Sequence, residues 1–211
     1  MDKKYWDKYY SKHLKDPGLN RPSSFAEFCT KNFIFKRKKI VEIGSGNGRD
    51  AHYFFRHGFD VIGLDQSKVD ENKNHKHFSD NGNKLIFKNC DFVKYDYKKH
   101  ESINYVYSRF TLHAISKKDE LILLPKIYDG IIKNGLFLIE ARTISDPLFG
   151  KGNKIEKNAF FTDHFRRFID PNEFIDQILD IGFKIKYFNE RNGLSIYNDD
   201  DPVLMRIILQ K

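Results

Sequence analysis

Val41-Glu42-Ile43-Gly44-Ser45-Gly46-Asn47-Gly48-Arg49-Asp50 is the stretch that decides the architecture, and the rest of the chain reads outward from it. A short apolar strand runs into three glycines at alternate positions. Such glycines let the backbone turn sharply and approach a ligand with no side chain in the way. The next apolar run, Phe59-Asp60-Val61-Ile62-Gly63-Leu64, ends on Asp65. An acidic residue at the tip of a second strand can accept both hydroxyls of a ribose. The pair predicts a pocket for an adenosine-containing cofactor. A glycine-rich turn with no ligand is the alternative, and Asp65 argues against it.

A dinucleotide site requires G-x-G-x-x-G, the third glycine allowing close helix–strand packing at a helix N-terminus that faces a pyrophosphate. Arg49 stands at that third position, and the glycines run G-x-G-x-G instead. This pattern resembles the first motif of class I S-adenosylmethionine-dependent methyltransferases, with Glu42 as the acidic residue two places before the first glycine. The resemblance implies S-adenosyl-L-methionine as cofactor and S-adenosyl-L-homocysteine as its product. It also implies a Rossmann-like α/β fold, with a central, mostly parallel seven-stranded sheet, an antiparallel last strand and helices on both faces.

The 211 residues suit one domain with a substantial core. A hydrophobic content of 40% with 15% aromatics fits a globular protein. No run approaches the roughly 18–20 apolar residues that cross a bilayer. Met1-Asp2-Lys3-Lys4-Tyr5-Trp6 has no apolar signal region, so a cytoplasmic protein without a membrane partner is expected. Cys29 and Cys90 lack metal-ligand spacing, as do the His, Asp and Glu residues, so two reduced thiols and no metal are expected. The net charge of +8 raises nucleic acid as a partner. Yet the basic runs Lys36-Arg37-Lys38-Lys39, Lys98-Lys99 and Lys117-Lys118 are scattered at element ends, so nucleic acid is not expected. A small anionic acceptor gains from the same field. No oligomeric state follows from the sequence.

Along the chain, aromatic residues at 5, 6, 9 and 10 predict a short N-terminal helix with one sticky face, broken by Pro17, Gly18 and Pro22. Ser24 and Glu27 have capping-box spacing for a short second helix. Strands are predicted at Lys39–Ile43, Val61–Leu64, Leu85–Asn89, Ile103–Tyr107 and Leu136–Glu140, with a helix after Gly48 that stops at Gly58. Gln66–Gly82 is polar and reads as a solvated helix of weak periodicity. Ser116 with Asp119 caps a long helix, Lys117–Lys133, closed by Gly135. Ala141–Phe168 is a long connection with few regular signals, of a length that marks functional or disordered loops. Asp170-Pro171-Asn172-Glu173 then offers an N-cap, a proline at N1 and an acid at N3 for a helix ended by Gly182. Two strands, Phe183–Asn189 and Val203–Gln210, joined through Asp199-Asp200-Asp201-Pro202, finish the sheet.

Ligands of open α/β sheets bind outside the carboxyl ends of the strands. That rule assigns Gly44, Ser45, Gly46 and Gly48 to the cofactor's amino-acid tail, with Arg49 or Asp50 on its charged groups. Asp65 and the neighbouring Gln66 take the ribose, Asp91 and Phe92 the adenine, while Ser108 and Arg109 lie next to the sulfonium. An ordinary strand-end cap is the competing reading for Asp91, and core packing for Phe92. Methyl transfer chiefly needs alignment, and a base only where the acceptor still holds its proton. His113 is the candidate base beside Arg109, against the plainer reading of a packed histidine. Arg142, His164, Arg166 and Arg167 are candidate acceptor contacts, since guanidinium forks bind phosphate or carboxylate bidentately. A solvated basic turn at His164-Phe165-Arg166-Arg167 is weighed equally.

Glu140-Ala141-Arg142, Asp146-Pro147-Leu148-Phe149-Gly150-Lys151-Gly152, His164–Ile169 and the aromatic start Tyr5-Trp6, Tyr9-Tyr10 resemble methyltransferases of bacterial capsule and O-antigen polysaccharide biosynthesis. The resemblance implies a small phosphorylated, phosphoramidate-bearing or nucleotide-linked acceptor. It also implies a lid over the site, residues 1–36, carrying Trp6 and Tyr10, on an S-adenosylmethionine-binding domain of residues 37–211; an N-terminal helix packed on the domain surface by its aromatics is weighed equally. Competing readings are an RNA or protein methyltransferase, a non-catalytic nucleotide-binding module and a nicotinamide oxidoreductase.

Overall fold

Lys39–Ile43 forms strand β1, and its alternating side chains show why it sits at the centre. Ile40 packs to one face while Val41 and Ile43 pack to the other, so both faces of the sheet must be covered. The computed structural model describes residues 3–13, 21–35, 38–67, 78–80, 82–99 and 102–211. Helix α1 is Lys3–His13, α2 Ser24–Asn32 and α3 Arg49–Arg56. Strands β2 (Asp60–Asp65), β3 (Phe78–Asp80), β4 (Asn83–Asn89), β5 (Ile103–Arg109) and β6 (Ile131–Arg142) follow, with α4 (Lys117–Gly130) between the last two. Next come β7 (Asn153–Glu156), β8 (Ala159–Phe161), β9 (Phe165–Arg167), α5 (Pro171–Ile181), β10 (Lys184–Arg191) and β11 (Leu204–Gln210).

The main sheet has the order β10-β11-β6-β5-β1-β2-β4-β3. Strands β4, β2, β1, β5 and β6 are parallel to one another, and β11 inserts antiparallel between β10 and β6. This is the expected Rossmann-like sheet with its antiparallel last strand, plus a short edge strand, β3, antiparallel to β4. Strand β3 falls in the segment expected to be a solvated helix; 68–77 of that segment lie outside the described residues. Helices α4 and α5 cover one face through Leu123, Leu124, Ile127, Phe174 and Ile178. Helices α2 and α3 cover the other through Phe25, Cys29, Ala51 and Phe54. Each such fully buried aliphatic or aromatic side chain stabilises the fold by about 1.5–3 kcal/mol.

Three local expectations are corrected. The cap of α2 is Ser23, not Ser24: the Ser23 hydroxyl accepts the Ala26 N–H at 3.1 Å. Helix α4 ends at Gly130 rather than running to Lys133. A Cβ at Gly130 would lie 2.3 Å from Tyr97, and the Lys211 ammonium takes the carbonyls of Asp129 and Ile131 at 3.2 and 2.8 Å, so the chain leaves the helix there. Finally, the connection after β6 is not irregular. Its β7-β8-β9 strands form a small antiparallel sheet beside the main one. By contrast α5 has the expected ends, with the Asp170 side chain accepting the Asn172 N–H at 3.0 Å and Gly182 left-handed at φ 107°.

Candidate active site

Chain order in the sheet reverses between β1 and β5, so the loops after these two strands flank the crevice. Gly44 turns there with φ 69°, and a Cβ on it would lie 2.6 Å from the Thr111 hydroxyl. Thr111 in turn donates to the Ile43 carbonyl at 2.9 Å, locking the two loops together. Gly48 caps α3 at φ 76°, where a Cβ would strike Phe87 at 2.7 Å. Backbone curvature and close approach thus both demand glycine at these positions. Asp65 holds the loop from the side. One of its carboxylate oxygens accepts the Gly46 N–H at 2.8 Å, the other the Ser67 N–H and hydroxyl at 2.7 and 2.6 Å.

A cavity of about 610 Å³ opens beside this loop. One end is walled by Glu42, Gly44, Ser45, Arg49, Asp50 and Asp65. The other is walled by Arg109, His113, Arg142, His164 and Arg166, with Tyr5, Trp6 and Tyr9 of α1 over the mouth. The structure therefore gathers most of the expected residues around one space. Tyr10 is an exception of a different kind, since its side chain lies outside the described residues.

Several expected contacts do not join them. Gly46 and Gly48 shape the loop but are not walls of the cavity, and neither is the half-buried Gln66. Asp91 is a strand-end cap: its carboxylate accepts the Val93 N–H at 3.0 Å and lies 3.6 Å from the Lys94 ammonium. Phe92 is wholly buried in the core, and Ser108 is buried within β5. Arg167 faces away from its neighbour Arg166, because successive side chains of a strand point to opposite sides. It donates to the carbonyls of Ile115 and Leu112, each at 3.0 Å, and pairs with buried Glu120 at 2.5 Å, which makes it a structural tie. Asp50 is likewise engaged, accepting the Ser23 N–H and hydroxyl (each 2.7 Å) and the Tyr107 hydroxyl (2.9 Å), and so pins the start of α2 to the site.

Other walls were not read from the sequence. Phe110 takes a left-handed φ of 54°, strained for a bulky residue, with the Arg109 guanidinium 4.3 Å and that of Arg142 6.0 Å from its ring centre. Leu194, Ser195, Tyr197 and Asp200 come from the β10–β11 connection. Ser195 accepts from Arg109 at 2.7 Å, and Asp200 with Asp146 grips Arg142. An antiparallel last strand carries the signal for this: Leu204 pairs with Arg142, so the loop before β11 must sit at the carboxyl edge of β6. Behind these arginines, wholly buried Glu140 accepts Arg109 Nε at 3.0 Å and Arg206 Nε at 2.6 Å.

Two buried groups on the cavity have an atom without a hydrogen-bond partner among the described residues: Glu42 through Oε2 and His113 through Nδ1. Burial first, then the charge of Asp50, pushes the Glu42 carboxyl well above its usual range. Burial first, then Arg142 and Arg166, pulls His113 well below its usual value. His113 is therefore neutral at pH 7, and the same buried, cationic surroundings oppose its protonation.

The two shifts act oppositely on stability. The unfolded chain protonates His113 below pH 6.5 while the folded chain does not, so stability is lost as pH falls below that value. Folded Glu42 holds its proton above pH 4.5, so its contribution is lost as pH rises through the raised value. Melting temperatures of the ligand-free protein should thus decline less on the acid side in His113→Gln and less on the alkaline side in Glu42→Gln. Slopes matching the wild type in both variants would remove these titrations from the account.

Residues 40–135 match a protein-family profile described as "Methyltransferase domain", a span that runs from β1 through the glycine loop to the start of β6. That span is similar to a methyltransferase domain, and the fold is the Rossmann-like one shared by solved S-adenosylmethionine-dependent methyltransferases. A solved S-adenosylmethionine-dependent methyltransferase of Methanosarcina mazei superposes with a TM-score of 0.70 at 17% identity, covering 86% of this chain and 95% of that one. The 1,6-didemethyltoxoflavin-N1-methyltransferase of Burkholderia thailandensis, solved with 1,6-didemethyltoxoflavin and S-adenosylhomocysteine, superposes at 0.66 with 12% identity over 99% of this chain and 88% of that one. Among curated proteins, the carboxy-S-adenosyl-L-methionine synthase of Nautilia profundicola is 28% identical over 133 residues, 62% of this chain. The chain spans 55% of that relative's length.

Proposed function

We propose that the whole chain is an S-adenosylmethionine-dependent methyltransferase acting on a small anionic acceptor. The reading extends to a phosphate-, phosphoramidate- or nucleotide-bearing precursor of bacterial surface polysaccharide, methylated in the cytoplasm. One observation carries the core of it: a single cavity joins a glycine loop and carboxylates at one end to arginines at the other, with neutral His113 on its wall. The residues fit the cofactor, since the orphaned Glu42 Oε2 on the cavity wall is an acceptor for an ammonium. The bound cofactor supplies a methyl group on a positively charged sulfur. Glu42 and the glycine-loop backbone would hold its amino-acid tail, and Asp65 its ribose. Arg166 and Arg142 orient the acceptor's anionic group. His113 takes the proton of an acceptor hydroxyl or amine that still holds one. Within the 1–36 segment α1 acts as a lid that excludes water, a role supported by Tyr5, Trp6 and Tyr9 on the cavity wall, while α2 packs in the core.

Thermal stabilisation tests the cofactor half. S-adenosylmethionine and S-adenosylhomocysteine should raise the melting temperature and NAD should not, because a ligand of the folded state adds RT ln(1 + [L]/Kd). Stabilisation by NAD alone would overturn the reading. The Nautilia relative favours a second reading, formation of a carboxylated cofactor. Mass spectrometry of turnover mixtures separates the two: a methylated acceptor in one case, a carboxylated S-adenosylmethionine in the other.

A further inference from the structure

The mouth of the cavity holds a chain of contacts that methyl transfer itself does not require. Arg166 on β9 donates to His164 Nε2 at 3.1 Å, and His164 Nδ1 lies 2.9 Å from an oxygen of Asp163. A guanidinium can only donate, so Nε2 is the acceptor and Nδ1 carries the proton toward the carboxylate. The imidazole is thus gripped at both nitrogens, and its face is covered from α1. The Tyr5 ring stacks on it at 4.1 Å and 20°, and the Trp6 ring meets it edge-on at 5.6 Å. The Tyr5 hydroxyl donates to the second oxygen of Asp163 at 3.2 Å. Burial first, then that carboxylate's charge, pushes the hydroxyl up to about 12, so it keeps the proton it donates.

Arg166 differs from the other arginines at this end of the cavity. Arg109 is paired with Glu140, and Arg142 with Asp146 and Asp200. Arg166 has no carboxylate within 4.0 Å among the described residues, although it is half-buried. Burial, then the neighbouring Arg142 charge, makes its cationic form costlier. A half-buried guanidinium on a cavity wall, with donors to spare and no carboxylate in ion-pair contact among the described residues, is a site for an oxyanion.

We propose that Arg166 anchors an oxyanion of the acceptor, carboxylate or phosphate, and that His164 is the positioning residue that couples this anchoring to docking of α1. The inference rests on the small-acceptor reading above, singles out Arg166 from the paired Arg142 and adds the coupling. An anion that fixes Arg166 fixes the imidazole plane against which Tyr5 stacks. By linkage, docking of α1 must then strengthen anion binding by the same factor.

Trp6 is the chain's single tryptophan, so its emission reports on α1 at this contact. With S-adenosylhomocysteine bound, inorganic phosphate and, separately, acetate are titrated at constant ionic strength while Trp6 emission and calorimetric binding are followed. The wild type should show saturable binding of one or both anions with an emission change of the same midpoint; whichever binds names the oxyanion. Arg166→Gln should weaken binding at least tenfold. Tyr5→Ala, which removes the ring stacked on His164, should weaken it several-fold. His164→Ala should bind more weakly and lose the emission response. His164→Gln, whose amide can accept from Arg166 and donate to Asp163, should recover affinity without the stacking response. Anion binding that is indifferent to Arg166 overturns the anchor. Binding that needs Arg166 but is unchanged in Tyr5→Ala and His164→Ala overturns the coupling and leaves the anionic acceptor standing. No anion binding in a protein that still binds S-adenosylhomocysteine overturns both, without touching the methyltransferase reading.

Discussion

Glu140→Ala is expected to remove about 3–5 kcal/mol of folding stability, the cost of leaving a buried ion-pair partner alone. Two guanidiniums share this carboxylate at 3.0 and 2.6 Å, and its side chain is fully buried. Arg206 further donates to Ser24 Oγ at 2.9 Å and the Leu194 carbonyl at 2.8 Å, with its guanidinium 5.3 Å from the ring centres of both Phe25 and Phe28. The one carboxylate therefore ties β5, β6 and β11 to α2 and to the loop that walls the cavity. Glu140→Gln keeps one acceptor but turns an amide N–H₂ toward the other arginine, so an intermediate loss is expected. Guanidinium chloride unfolding measures both. A loss under about 1 kcal/mol for the alanine variant would mean that water hydrates the arginines, as in an exposed pair.

Asp65→Ala should weaken S-adenosylhomocysteine binding by about 3 kcal/mol, or roughly a hundredfold, at the upper end for removal of a charged acceptor. The size follows from two roles of one side chain. Its carboxylate would accept the ribose hydroxyls, and it already fixes Gly46 and Ser67 through three hydrogen bonds. Alanine therefore removes a ligand contact and frees the loop that must close on the ligand. Asp65→Asn keeps a neutral acceptor for part of that network and should lose less. Calorimetry giving an unchanged dissociation constant for the alanine variant would take Asp65 out of the site.

Features written in local sequence were the legible ones. Alternate glycines, an acid at a strand tip, Asp170-Pro171 before a helix and Gly182 after it each express a constraint met within a few residues of itself. Cap choice was less so, because Ser23 and Ser24 are chemically alike and only the distant Asp50, which takes the Ser23 N–H and hydroxyl, decides between them. The β7-β8-β9 sheet was hidden for a similar reason. Its strands are three or four residues long, two of them carry charged residues, and their pairing partners are one another rather than the main sheet. Arg166 and Arg167 make the same point at the site. Their side chains are identical and adjacent, yet strand alternation sends one to the cavity and the other to Glu120. Nothing in the pair itself says which is which until the strand is placed.

The antiparallel insertion of β11 sets an order of assembly on the growing chain. Strand β10 is made earlier, but among the described residues its neighbour in the main sheet is β11, which must be made before β10 can be joined to β6 through it. The glycine loop, Asp65 and the strands that carry them all precede this step in synthesis. Arg206, the Leu194 carbonyl it holds and the Asp200 grip on Arg142 depend on it. On the ribosome the cradle for the cofactor can therefore form while the acceptor end is still open, and β11 is the strand that completes the second half of the pocket.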